Sequence, residues 1–211
     1  MDKLTIRDFW RNKVKDGTTR WTGDSMLAYE LAYLPPLVPP GSRILDLGSG
    51  FGELSKGITP ADGSLVAVDA EPGMAAGFEG DDRFEFVPAD VVSYRPEGEF
   101  DIILLFGVVT HLTVEEEEMV YDTIRDLLAP GGFALVKHQC SDSAGFEVDT
   151  QSEALGTRYV GRYPAIAEER ARLGARFSSV EVRPYPEELK LHSNSTHVAF
   201  LCRGPLAAVA E

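Results

Sequence analysis

The sequence predicts an α/β fold: a mostly parallel sheet covered by helices, with a last strand that runs antiparallel to the rest. Three observations carry this. Apolar runs of strand length alternate with helix-compatible segments, and near-continuous runs such as DIILLF mark strands buried on both faces. The stretch RILDLGSGFGELS, Arg43 to Ser55, passes from such a run through a glycine-rich turn into a helix-compatible segment. Near the end of the chain RFSSVEVRPY and THVAFLCRG follow one another with no helix between them, which calls for an antiparallel pair.

Taken in order, residues 1–20 form a basic arm or lid. A first helix fits Gly23 to Leu34, with Asp24 or Ser25 as its cap and the stripe Leu27, Leu31, Leu34. Pro35, Pro36, Pro39 and Pro40 forbid its continuation. Strands fit Arg43 to Leu47, Ser64 to Asp69, Phe84 to Pro88, Phe100 to Phe106 and Gly132 to His138. Helices fit Glu53 to Ile58, Pro72 to Gly77 and Val114 to Leu128, the last stopped by Pro130-Gly131-Gly132. A polar stretch leads to a helix near Pro164 to Leu173 and then to the two final strands. With 211 residues, 44% of them hydrophobic, the chain suffices for one buried core. Residues 21–204 are expected to be a single domain and 205–211 a frayed tail.

Composition removes several classes of function. The net charge of -14 makes duplex nucleic acid an unsuitable partner, because such binding needs clustered Lys and Arg. No window reaches membrane-span length and the N-terminus has no signal-peptide core, so a cytoplasmic protein with no membrane partner is expected, as monomer or homodimer. Cys140 and Cys202 are far apart and lack metal-ligand spacing, so neither a disulfide framework nor a metal site is expected. The charge is uneven: residues 1–20 carry six basic against three acidic side chains, residues 21–136 five against twenty-one, and residues 137–203 nine of each.

The glycine turn poses the chemical question. Gly48, Gly50 and Gly52 make a GxGxG, whereas a dinucleotide fingerprint needs its third glycine where Glu53 stands. A phosphate loop would need GK[ST], and Gly52 is followed by Glu-Leu. Asp46 and Glu53 place carboxylates at the mouth of the turn; at about 5 Å and an effective dielectric of roughly 20, one carboxylate facing one unit charge is worth about 3 kcal/mol. The sign repels pyrophosphate and attracts a cation. Asp69 ends the second strand, where an acidic side chain can accept both ribose hydroxyls, and Asp90 follows the third strand, able to accept from an adenine amine. Together they describe an adenosine site without phosphate, although each aspartate could instead cap a turn.

These residues resemble the class I S-adenosylmethionine-dependent methyltransferases, over roughly Trp21 to Arg203. LDLGSGFG looks like the first motif of that family, VAVDAEPGM the second, PADVV the third, FDIILLFGVVTHL the fourth strand with its loop, and LAPGGFALVKH the approach to strand five. The resemblance implies a Rossmann-like three-layer sandwich of seven strands, the last antiparallel, and S-adenosyl-L-methionine as cofactor, released as S-adenosyl-L-homocysteine. It sets the methionine part against Asp46, Gly48, Ser49, Gly50 and Gly52, the ribose on Asp69, Ala70 and Met74 beside the adenosine, adenine at Asp90 and Val91, and the Phe106 backbone near the amino end. Met74 alone could equally be core.

For the acceptor, His111 in VVTHL is a candidate base or substrate contact, needed as base only if the acceptor carries a proton. Lys137, Arg158 and Arg162, with Arg20 closing from the arm and Tyr29 on the flanking helix, are candidates to hold an anionic small molecule. Arg158 and Arg162 could also belong to a merely exposed segment, and the arm could be a solvated terminus. The opening FWRNKVKDGTTRWTGD and the short frame resemble small-molecule methyltransferases of bacterial natural-product and antibiotic biosynthesis, in particular phosphonate O-methyltransferases of the dehydrophos kind. That implies O-methylation of an anionic acceptor such as a phosphonate. The alternatives are a neutral metabolite methylated on O or N with His111 as base, a cofactor-binding domain without turnover, and an NAD-dependent oxidoreductase.

Overall fold

The computed structural model describes residues 8, 10–12, 14–15, 23–152 and 157–207. From residue 23 on, the described helices and strands follow in chain order: α1 Gly23–Tyr33, β1 Arg43–Leu47, α2 Glu53–Ile58, β2 Ser64–Asp69, β3 Phe84–Pro88, β4 Phe100–Phe106, α3 Val114–Leu127, β5 Leu128–Ser141, β6 Phe146–Ser152, β7 Thr157–Tyr163, α4 Ile166–Gly174, β8 Phe177–Pro184 and β9 Ser195–Pro205. Seven strands form one sheet in the order β3-β2-β1-β4-β5-β9-β8. The first five pair in parallel, and β9 runs antiparallel between β5 and β8. This is the α/β sandwich that the strand and helix alternation predicts.

Strand parity divides the core. Leu45, Leu47, Ile103, Leu105, Ala134 and Val136 pack on one face beneath α3 and α4, with Val120, Ile124 and Leu173. Ile44, Ile102, Leu104, Phe133 and Leu135 pack on the other, beneath α1 and α2, with Met26, Leu34 and Ile58. Side chains of a strand alternate between faces, so both layers are filled from the same five or six residues of each strand. Helix α3 starts on a capping box in which the Thr113 hydroxyl accepts from the Glu116 amide and the Glu116 carboxylate accepts from the Thr113 amide.

The boundaries of β1 to β4 and of α2 agree with the sequence expectation; four features do not. Residues Pro72–Gly77 form a 3-10 turn in place of an α-helix, with Pro72 at its start and glycines at both ends of the following stretch. Strand β5 begins at Leu128, before Pro130-Gly131-Gly132, because the ladder resumes after a shift of register between Phe100 and Ile102. The polar stretch after β5 is a two-stranded antiparallel ribbon, β6 with β7. Helix α4 begins at Ile166, two residues past the expected Pro164. The tail 205–211 is described only to residue 207, and Leu206 donates its amide to the Arg176 carbonyl at 2.8 Å. Among the described residues no helix is long and apolar enough to cross a membrane.

Candidate active site

The glycine turn lies between β1 and α2 at the C-terminal edge of the parallel strands. Gly48, Gly50 and Gly52 all have positive φ, at 80°, 54° and 67°, a conformation that L side chains rarely adopt. The space around them differs. A Cβ on Gly48 would lie 2.2 Å from Val108, and one on Gly52 2.4 Å from Phe78, whereas one on Gly50 would meet nothing within 4 Å. The outer two glycines let the turn fit its own neighbours, and the middle one leaves its exposed side open. The amides of Gly48 and Ser49 both donate to the Val68 carbonyl, at 2.8 and 3.0 Å.

Two carboxylates set the electrostatics of this turn. Asp69 accepts from the amide of Gly50 at 3.0 Å and from that of Glu71 at 2.9 Å, so it ties the turn to the end of β2. Burial holds its pKa above the ordinary carboxylate value, against those backbone bonds. Asp46, 5% exposed, is pushed up to about 7 by burial, with the negative charge of Asp69 adding to the rise and the Ser55 hydroxyl opposing it. Asp90 follows β3, and its side chain accepts from the Val92 amide at 3.0 Å; Val91 beside it is buried in the α3-side core. Ala70 is exposed at the rim, and Met74, 2% exposed, is part of the core beneath it.

Opposite the glycine turn, β4 ends at Phe106 and leads through Gly107 into the short turn Val109–His111. Gly107 has φ 73°, and a Cβ on it would meet nothing within 4 Å. His111 Nδ1 is enclosed and has no hydrogen-bond partner among the described residues. Burial pushes its pKa down to about 4, with the Val160 carbonyl working the other way, so the imidazole is neutral at pH 7. Two aromatic rings meet it nearly at right angles: Trp10 of the arm, with centroids 5.9 Å apart at 86°, and Tyr159 of β7, at 6.2 Å and 81°. Arg11 of the arm lies 3.7 Å from the Glu71 carboxylate, beside the adenosine side of the site.

The basic candidates have carboxylate partners. Lys137, 6% exposed on β5, pairs with the buried Glu30 of α1 at 2.9 Å, and its ammonium lies over the rings of Phe106 and Tyr185. Glu30 also accepts from the Tyr185 hydroxyl at 3.1 Å. Tyr29 packs in the same cluster, its ring edge-on to Tyr185 with centroids 4.9 Å apart and tilted against Tyr33 at 5.1 Å. Arg162 of β7 pairs with the fully buried Glu117 of α3, which Arg172 of α4 approaches at 3.0 Å from the other side. Arg158 pairs with Asp149 across the exposed ribbon at 2.6 Å. Each of these three cations is thus matched to a carboxylate, which leaves it less field for an anionic ligand. Arg20 lies outside the described residues.

Sequence reasoning missed Glu30, Glu117 and the packing of Trp10 on His111. One signal was available for the first: a lysine within the buried run FALVKHQC requires a buried carboxylate. Next to it on β5, His138 faces the opposite side of the sheet. Its Nε2 lies 3.7 Å from Glu169 of α4, whose other oxygen accepts from the Tyr121 hydroxyl of α3. Burial alone would lower the His138 pKa, but the Cys140 sulfur and the Glu169 carboxylate outweigh it and push it up to about 10.

Comparison with known proteins places this geometry. Residues 44–132 match the family described as methyltransferase domain. The ubiquinone biosynthesis O-methyltransferase of Xylella fastidiosa is 28% identical over 142 residues, which cover 63% of this chain and 54% of that protein. The ribosomal protein L11 methyltransferase of Thermus thermophilus is 29% identical over 110 residues, covering 50% and 41%. The chain thus spans about half the length of the curated relatives it matches. Among solved structures, the 1,6-didemethyltoxoflavin-N1-methyltransferase of Burkholderia thailandensis, with bound 1,6-didemethyltoxoflavin and S-adenosylhomocysteine, superposes with a TM-score of 0.77 at 21% identity, over 96% of this chain and 88% of that one. DhpI in complex with SAH superposes with a TM-score of 0.69 at 20% identity, over 96% and 97%. Residues 44–132 thus match a methyltransferase domain, and the fold that surrounds them is shared with these solved methyltransferase structures.

Proposed function

We propose that the chain binds S-adenosylmethionine at the glycine turn and methylates a small-molecule acceptor whose reacting O or N carries a proton directed at His111. The observation that carries the cofactor assignment is the open side of Gly50 between Asp46 and Asp69. Two enclosed carboxylates with no salt bridge to a cation among the described residues favour a ligand that brings positive charge, as the ammonium and sulfonium of S-adenosylmethionine do, and disfavour pyrophosphate. Asp69 keeps lone pairs for ribose hydroxyls after its two backbone bonds, and Asp90 stands at the adenine end. Methyltransferase relatives and neighbours support the same assignment.

When bound, S-adenosylmethionine supplies the methyl group: the acceptor lone pair forms the new bond as the sulfur–carbon bond breaks, sulfur keeps that pair as a thioether, and the acceptor proton is left to the protein. His111 is suited to take that proton. It is neutral at pH 7, and its enclosed Nδ1 has no partner, a deficit of roughly 1–3 kcal/mol that an acceptor O–H or N–H removes. Trp10 covers the imidazole from the arm, which supports the arm as a lid that excludes water. An anionic acceptor such as a phosphonate has weaker support, because Lys137, Arg158 and Arg162 are each paired with a carboxylate.

Calorimetry tests the cofactor reading. S-adenosylmethionine should bind and NADH should not, and Asp69→Ala should weaken binding by about 1–3 kcal/mol through the lost charge-assisted bonds. Because Asp46 is half protonated near pH 7, cation binding should release protons, and affinity should rise between pH 6 and 8. Unchanged affinity in the Asp69 variant and no proton release in buffers of different ionisation enthalpy would overturn it. Labelled methyl transfer to a mixed panel of acids, alcohols, phenols and amines tests the acceptor: robust transfer to phosphonates alone restores the anionic reading, and retained cofactor with no transfer to any acceptor favours a binding domain.

A further inference from the structure

We infer that the acceptor is a planar, uncharged aromatic or heteroaromatic molecule, whose ring hydroxyl or ring N–H faces His111 while Tyr159 and Trp10 select for the flat ring. The inference rests on the methyltransferase reading above and narrows its substrate class. It starts from the way the β6–β7 ribbon is built against the Val109–His111 turn. Gly161 lies so close to that turn that a Cβ on it would fall 3.0 Å from the Thr110 methyl and 2.8 Å from the Tyr159 hydroxyl. Only glycine lets the ribbon lie flush there. One residue on, Arg162 is locked to the buried Glu117 of α3, so the ribbon is pinned on the side away from solvent.

The pinned ribbon holds Tyr159 in one place. Its hydroxyl bonds that of Tyr163 at 2.8 Å, and Tyr163 in turn stacks on Phe146, with centroids 4.9 Å apart and planes at 15°. A tyrosine fixed in this way presents a wall whose ordering cost is already met before a ligand arrives. It stands at the imidazole from the ribbon, while Trp10 stands there from the arm, so two elements remote in sequence bring ring systems to His111, whose enclosed Nδ1 has no partner among the described residues. Flat rings gain from such neighbours beyond the area they bury, and a saturated ring or an aliphatic chain of equal volume does not. The charge pattern agrees: Arg158, next to this wall in sequence, is matched to Asp149, and Arg162 to Glu117, so no charge on the ligand is called for.

The test uses the full chain with two measurements. Calorimetric titration of the protein loaded with S-adenosylhomocysteine, using monocyclic and bicyclic hydroxy- and amino-heteroarenes, is set against the ring-saturated counterpart of each and against methylphosphonate. Labelled methyl transfer is then followed with the same compounds. The expected result is binding and transfer confined to the flat rings, with Tyr159→Leu weakening ring binding about tenfold. Tyr159→Phe, which keeps the ring and loses the hydroxyl bond, should retain most of that affinity. A thermal melt of both variants shows whether the fold is intact, and the comparison of flat with ring-saturated compounds on the unaltered protein carries the test if the Leu variant does not fold. Equal use of saturated counterparts, preference for methylphosphonate, or no binding of any ring to protein that still holds S-adenosylhomocysteine overturns the inference and leaves the cofactor reading standing. Failure to bind S-adenosylhomocysteine at all overturns the methyltransferase reading on which the inference rests.

Discussion

His111 and His138 are both enclosed, and they are driven in opposite directions. His111 sits in a turn among aromatic rings and is held down to about 4; His138 sits in a strand opposite Glu169 and Cys140 and is pushed up to about 10. Burial disfavours the charged imidazole at both places, so the difference comes from the Cys140 sulfur and the Glu169 carboxylate, which only His138 has. The imidazole in the turn is thereby kept uncharged at pH 7, and the one in the strand is held as a cation beside Glu169 of α4.

The comparison breaks most visibly if the carboxylate is removed. Glu169→Gln should destabilise the protein by about 3–5 kcal/mol in urea unfolding, the cost of leaving one member of a buried pair alone. The His138 pKa should then fall, and NMR titration that finds it unchanged would show that Glu169 is not among its causes. Next in size is His111→Ala, expected to lower kcat about 100-fold while leaving S-adenosylhomocysteine affinity unchanged. Because His111 stays neutral down to about 4, its titration should leave kcat/KM flat from pH 5 to 8, and a limb near 6.5 that disappears in the alanine variant would contradict the assignment.

Stability against pH sharpens the contrast with a smaller effect. A lowered histidine pKa means that the unfolded chain takes up a proton the folded one refuses, so stability is fully present above 6.5 and declines as pH falls towards 4, by up to about 1.4 kcal/mol per unit. His197, held down to about 3 by burial and by Lys137, adds to this acid limb. The raised His138 does the reverse: its contribution is fully present below 6.5 and is lost as pH rises towards 10. His138→Gln should flatten the alkaline limb alone, and urea midpoints from pH 4 to 10 decide it. Smallest is removal of residues 1–16, which takes Trp10 from His111; KM for the acceptor should rise several-fold with cofactor affinity kept. Identical kinetics with and without the arm would remove its role as a lid.

Most of the framework was legible because β1, β2 and β4 are apolar runs with one physical explanation, and the glycine turn has few. The β6–β7 ribbon was not, since FEVDTQS and TRYVGRY put polar side chains on an exposed face and carry no continuous apolar pattern. The acidic residues at the turn were readable because their meaning depends on nearby chain. The cations were not, because whether Lys137 or Arg162 is available depends on Glu30 and Glu117, partners far away in sequence. A charge map along the chain records how many cations there are, and only the fold records which are already matched.

Strand β5 carries a further consequence through its parity. Lys137 and His138 are neighbours that meet Glu30 on one face and Glu169 on the other. A single-residue insertion upstream in β5 would set Lys137 towards Glu169 and leave Val136 facing Glu30, and a deletion would set His138 towards Glu30 and leave Gln139 facing Glu169. Either shift leaves one buried carboxylate without its cation, so charge helps to fix the register of this strand. Volume acts in the same sense: Phe133 and Leu135 fill the layer under α1, Ala134 and Val136 the layer under α3, and a shifted strand would overfill one and hollow the other. Single-residue length changes in β5 should therefore be tolerated worse than changes that come in pairs of residues.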